Sequence, residues 1–167
     1  MGTDVIDSVV GLTPANPLYA VRHARAKVSG ATQGSYELFF DPTVGSLAVP
    51  ERLLVAYYAC VLSKADSLAQ HYRVAFLQQG GDASTLALLD GNQLEQLSSS
   101  RLRAMLVFTA ILIEKPLEGD QTAVQALQAA GVSTPDIIML AQLIAFLSYQ
   151  TRLAAGLQAM KALEPQA

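Results

Sequence analysis

Three apolar runs, at residues 53–62, 105–113 and 137–147, set the terms for any fold of this chain. Each is shorter than the roughly 18–20 residues needed to cross a bilayer. None alternates with period two over the length of a strand. Segments that are apolar on nearly every face belong inside a helical bundle or at a contact between subunits. The residue palette agrees, because 51% of the 167 residues are hydrophobic but only 7% are aromatic, with no Trp. Ala and Leu dominate, which suits packed helices rather than a β-sandwich. An all-α fold is therefore expected, and the length fits one domain, 1–167, with a continuous core.

A domain of this size has too little interior for three such helices unless some faces meet another copy. A homo-oligomer, whether dimer, trimer or hexamer, is the expected outlet. Net charge is −3, and the main basic cluster, Arg22, His23, Arg25 and Lys27, falls on one expected helix without glycine-rich or aromatic interleaving. It reads as a solvated helix face, so no nucleic-acid partner is expected. The start, MGTDVIDSVVG, has no basic segment leading into an apolar one. No secretory signal is expected there, and a cytoplasmic protein with no membrane partner is the simplest reading. The lone Cys60 excludes an internal disulfide and a Cys-x-x-Cys pair. His23 and His71 are far apart and no cysteine cluster joins them, so no metal or other cofactor is expected.

Turn and cap signals divide the chain into about seven or eight helices. The first fifteen residues are polar and turn-rich and are expected to be poorly ordered. Asn16-Pro17 is an N-cap followed by proline, opening a helix at 18–28. Gly30 interrupts it, and a second segment at 31–40 is stopped by Asp41-Pro42. Pro50 opens the first apolar helix, with Glu51 in its first turn where the backbone's partial positive charge favours a carboxylate. Asp66 is the expected N-cap of the next helix, which ends at Gly80-Gly81. A short helix at 82–89, a turn at 94–97, a helix at 101–114 capped by the serine run 98–100, and a compact helix at 121–130 follow. Ser133, Pro135 and Asp136 together are the entry signal of the last helix.

Within the helix opened by Pro50, each residue advances about 100°. Glu51 and Tyr58 therefore share a face, whereas Cys60 lies about half a turn away and is expected to be a small core residue rather than a nucleophile. His71 stands on the next helix with Ser67 and Leu68 one turn before it. Beside a Glu and a Tyr it could shuttle a proton, because imidazole titrates near neutrality. A buried histidine satisfied by a carboxylate or backbone carbonyl fits the same position.

The run PERLLVAYYACVLSKADSLAQHYR resembles the core of the alkylhydroperoxidase D and carboxymuconolactone decarboxylase superfamily. Its peroxidase members carry Glu, then Cys-x-x-Cys, then His after three more residues. The segments LSSSRLRAMLVFTAILIEKP and VQALQAAGVSTPDIIMLAQLIAFLSYQTRLAAGL are similar to the second half of the peroxidase-related branch, where a helix–Gly–helix unit leads into an aromatic, Asn-rich stretch ending in Arg. The resemblance covers about residues 45–160 and implies a compact helical bundle of the alkylhydroperoxidase D-like type.

The departures concern the chemistry. Counting back from His71 by the family spacing puts the two thiols at Lys64 and Ser67, and a shift of one puts them at Ala65 and Leu68. Neither register contains sulfur. The interval from Glu51 to His71 is one residue longer than the family pattern. Ser148 and Thr151 stand where the branch usually has Asn, while Arg152 is kept. Peroxide reduction in this superfamily needs a low-pKa thiolate and a resolving thiol, so thiol peroxidase activity is expected to be absent. The decarboxylase branch works without a cysteine pair.

The resemblance therefore implies a thiol-independent lyase or isomerase. His71 would act as acid or base on a small carboxylate or carbonyl compound, with Glu51 orienting it, and Tyr58 joins them as a candidate catalytic residue. Arg152 and Ser67 are the candidate substrate-binding residues. An alternative is a non-catalytic oligomeric subunit or ligand-binding module that partners a cysteine-bearing relative. A third reading is residual peroxidase activity through Cys60, against which its helical phase argues.

Overall fold

The computed structural model describes residues 4–163, and every regular element among them is helical. In chain order these are α1 (Val5–Val10), α2 (Pro17–His23), α3 (Ala26–Phe40), α4 (Val49–Leu62), α5 (Asp66–Gln78), α6 (Ala83–Asp90), α7 (Ser100–Glu114), α8 (Gln121–Ala129) and α9 (Thr134–Ala162). Short 3₁₀ turns at Leu94–Gln96 and Pro116–Glu118 precede and follow α7.

The first apolar run becomes the hub. Every residue of α4 from Arg52 to Cys60 is buried, and the helix packs against α5, α7 and α9. A helix surrounded in this way has no polar face to offer, which explains its lack of amphipathic period. The last helix, 29 residues long, is long and apolar enough to cross a membrane by length and composition alone. Here it lies in the bundle, with Leu140, Leu143, Ile144 and Leu147 buried against the other core side chains.

Most starts follow the cap chemistry. Asn16 accepts from the Leu18 N–H, Ser99 from Leu102 and Ser133 from Asp136. Asp66 does not act as a cap: it is the first residue of α5, behind Ala65, which offers no capping side chain. Glu51 accepts from the Ala48 N–H at 3.2 Å, half of a capping box on α4.

Two expectations are corrected near the N-terminus. Instead of a poorly ordered start, α1 is docked with Val5, Ile6, Val10 and Leu12 in the core; residues 1–3 lie outside the described part. The basic cluster is a solvated face in only half of its residues. Arg22, its side chain only 4% exposed, pairs with Asp4 at 2.9 Å and Asp7 at 3.3 Å, and His23 reaches Asp7 at 2.8 Å. Arg25 and Lys27 do stay exposed. The helix break falls at Ala24–Arg25 rather than at Gly30, and α3 runs straight through Gly30 and Gly34. Both glycines face open space. Their propensity deficit of about 1 kcal/mol each is outweighed by the partial burial of Tyr36, Phe39 and Phe40 against the core.

Between α3 and α4 the loop wraps around a buried arginine. Arg52 is 1% exposed and donates to the carbonyls of Leu47 at 2.7 Å, Asp41 at 2.9 Å, Phe39 at 3.0 Å and Val44. Gly45 must be glycine at the tip of this wrap, because φ is 72° and a Cβ would sit 2.6 Å from the Met139 sulfur.

Candidate functional site

On α5 one stripe is buried, Leu68, Ala69, Tyr72 and Phe76, and the opposite stripe at spacing three and four carries Ser67, Gln70, His71, Val74 and Gln78. That second stripe forms the floor of a groove of ≈ 510 Å³. Tyr36 of α3 and Ser8 and Val9 of α1 close its sides. The docking of α1 thus does more than finish the core, because it supplies a wall of the groove.

At the base of this groove His71 Nε2 and the Tyr36 hydroxyl are hydrogen-bonded at 2.9 Å. Behind them the rings of Tyr36, Phe40, His71 and Tyr72 pack at centroid distances of 5.1–5.6 Å along the chain of neighbours. Burial against these rings lowers the His71 pKa below its ordinary value and raises that of Tyr36. At neutral pH the pair is therefore an uncharged imidazole facing an uncharged phenol. Tyr72 continues inward and donates to Gln150 at 2.5 Å, and burial pushes its own pKa well up.

Of the residues selected from the sequence, this groove gathers His71 and Ser67. Ser67 sits at its edge and accepts from Gln158 at 3.1 Å. The others lie elsewhere. Glu51 is engaged by Arg101, whose guanidinium also meets Asp136 at 3.2 Å while Ser46 donates to the other Asp136 oxygen. This network ties the starts of α4, α7 and α9 together. Burial pushes the Asp136 carboxyl upward, but bonds from Ser46 and Ser133 with the Arg101 charge outweigh it and hold the pKa below the usual value. Tyr58 is 1% exposed, and its hydroxyl donates outward to the exposed Asn92 at 2.7 Å; burial raises its pKa. Arg152 is exposed, bonds the Ser148 carbonyl of its own helix at 3.0 Å, and borders a separate cavity of ≈ 230 Å³ with Ser63 and Thr151.

Cys60 is fully buried and its thiol is pushed up to about 12 by that burial. A nucleophilic thiol needs the opposite environment. Both registers of the family's thiol pair, Lys64 with Ser67 and Ala65 with Leu68, border one small cavity of ≈ 70 Å³ at the turn between α4 and α5. That space is present without sulfur. The family interval would place its glutamate one residue beyond Glu51, where Arg52 stands inside its ring of carbonyls. Among the described residues no group of three or more His, Cys, Asp or Glu side chains could hold a metal ion.

Tyr36 escaped the sequence reading. It lies 35 positions from His71, on a helix weakened by two glycines, and nothing in the period of either helix links the two. The available signal was the aromatic pair Tyr36 and Phe40 on one helix face, spaced to meet a neighbour.

The order and packing of these helices define the class of fold, an all-α bundle. A crystal structure of an uncharacterized peroxidase-related protein from Silicibacter sp. TM1040 is similar, with a TM-score of 0.72 and 22% identity, covering 86% of this chain and 72% of that one. At that identity the likeness establishes the fold. No protein-family model matches the chain, and no curated protein does.

Proposed function

We propose that this protein is a thiol-free member of the alkylhydroperoxidase D and carboxymuconolactone decarboxylase superfamily, working as a lyase or isomerase through His71. The observation that carries the reading is the His71–Tyr36 hydrogen bond opening into the groove. In the tautomer whose Nε2–H donates to the Tyr36 oxygen, the neutral imidazole keeps its Nδ1 lone pair for a proton, and the phenol proton is free to hydrogen-bond a carbonyl oxygen. Tyr36 takes the orienting role expected of Glu51, which is held by Arg101. Peroxide reduction has no thiolate to start from, with Cys60 sealed in the core. The protein acts in the cytoplasm as a homo-oligomer in this reading, and exposed Val21, Leu38 and Ile138 are apolar surface that a second copy would cover.

The second reading, a non-catalytic subunit or ligand-binding module beside a cysteine-bearing relative, is favoured by one feature. No carboxylate bonds His71 among the described residues, so its basicity is not reinforced. Exchange of the α-protons of small ketones and aldehydes in heavy water, followed by NMR, separates the two. The wild-type protein is expected to accelerate exchange, His71→Gln to lose roughly a hundredfold or more of that rate, and Glu51→Gln to retain it. A His71→Gln protein exchanging at the parent rate refutes the acid–base reading.

A further inference from the structure

We infer that the groove over His71 and Tyr36 selects an uncharged ligand bearing a carbonyl or hydroxyl group and discriminates against carboxylates and ammonium ions. This rests on the reading of His71 as a working group and narrows it. None of the nine described residues lining the groove is a Lys, Arg, Asp or Glu. The two titratable side chains there are both neutral near pH 7, since burial lowers the pKa of His71 and raises that of Tyr36. A carboxylate entering the groove would give up water and meet no cation, and an ammonium ion would meet no anion.

Hydrogen-bonding capacity is nevertheless dense. The hydroxyls of Tyr36 and Ser67 and the amides of Gln70 and Gln78 donate and accept, which suits carbonyl and hydroxyl groups. Val74 and Val9 give one side an apolar surface for a hydrocarbon portion. Arg152, the cation that would hold a carboxylate, borders a different cavity. The family-like place of Arg152 therefore does not translate into anion recognition beside His71.

A matched set of probes of nearly equal size tests this: benzamide, benzoate and benzylammonium, titrated into the full-length protein at one ionic strength and read by NMR shifts of the His71 and Tyr36 ring signals. Benzamide is expected to bind at these rings roughly tenfold more tightly than either ion, a modest ratio because the groove is open to water. Gln70 is an exposed residue of the groove's floor, and Gln70→Arg adds a cation there while leaving the His71 and Tyr36 side chains themselves unaltered. It is expected to raise benzoate affinity roughly tenfold. Benzoate or benzylammonium binding the wild-type groove as tightly as benzamide overturns the inference, as does absence of benzamide binding or an unchanged benzoate affinity in Gln70→Arg. Failure of ketone exchange with benzamide preference intact would sink only the acid–base reading, whereas exchange persisting beside a preference for benzoate would sink only this one.

Discussion

Replacing Arg52 by methionine tests whether the buried guanidinium organises the loop before α4. Methionine keeps much of the stem's volume, so the perturbation is chiefly the loss of donors to the carbonyls of Phe39, Asp41, Val44 and Leu47. Each hydrogen bond to a charged group contributes about 1.5–3 kcal/mol. The sum is reduced on two counts. The loop between Asp41 and Leu47 is mostly half-buried or exposed, so water can replace part of what is lost. In addition, burying an arginine with no carboxylate on its guanidinium already costs desolvation, which methionine does not incur. A net loss of about 2–4 kcal/mol is the expected outcome. With a urea slope of about 2 kcal/mol per molar, the midpoint should fall by about 1–2 M when helicity is followed by circular dichroism. Arg152→Met is the control: it removes one bond to the Ser148 carbonyl from an exposed side chain and should change stability by less than about 0.5 kcal/mol. Equal midpoints for Arg52→Met and wild type would refute the carbonyl cage as a source of stability.

Two further outcomes follow from the burial of titratable groups. Because His71 has a depressed pKa in the folded state, the unfolded chain binds its proton at higher pH. The stability it contributes is complete above the unfolded value near 6.5 and is lost as pH falls through the folded pKa. Urea unfolding between about pH 7 and about pH 5 should show this loss, and His71→Gln should flatten it; an identical pH slope in the variant would contradict the assignment. For Cys60, a thiol pushed up to about 12 from an ordinary value of 9.0 has roughly a thousandfold less thiolate at neutral pH. Disulfide-exchange labelling of the native protein should be slower than that of the urea-unfolded chain by at least that factor, and comparable rates would show that Cys60 is accessible.

The helical class and much of the fine division were legible in the residues. Asn16-Pro17, the serine run before α7, and Ser133 with Pro135 each state a local hydrogen-bond need that the structure satisfies where it was expected. Local chemistry misled where distant groups intervened. Gly30 and Gly34 lower helix propensity, yet α3 continues because Tyr36, Phe39 and Phe40 gain packing from other helices. The first residues look polar because Asp4 and Asp7 stand among them. Their partners are Arg22 and His23, and with those pairs formed the apolar residues between them can dock.

The candidate site divides in the same way. That no sulfur stands at Lys64, Ser67, Ala65 or Leu68 is a property of the sequence alone, and so is the stripe of α5 that carries Ser67 and His71. Helical periodicity determines which side chains share a face within one element. It says nothing about how far one helix is rotated or slid against another. That relative placement decided that His71 meets Tyr36 at 2.9 Å, and that Glu51 is taken up by Arg101. It also enclosed Arg52 in carbonyls while leaving Arg152 exposed on α9, because a contact between helices depends on packing the whole core at once.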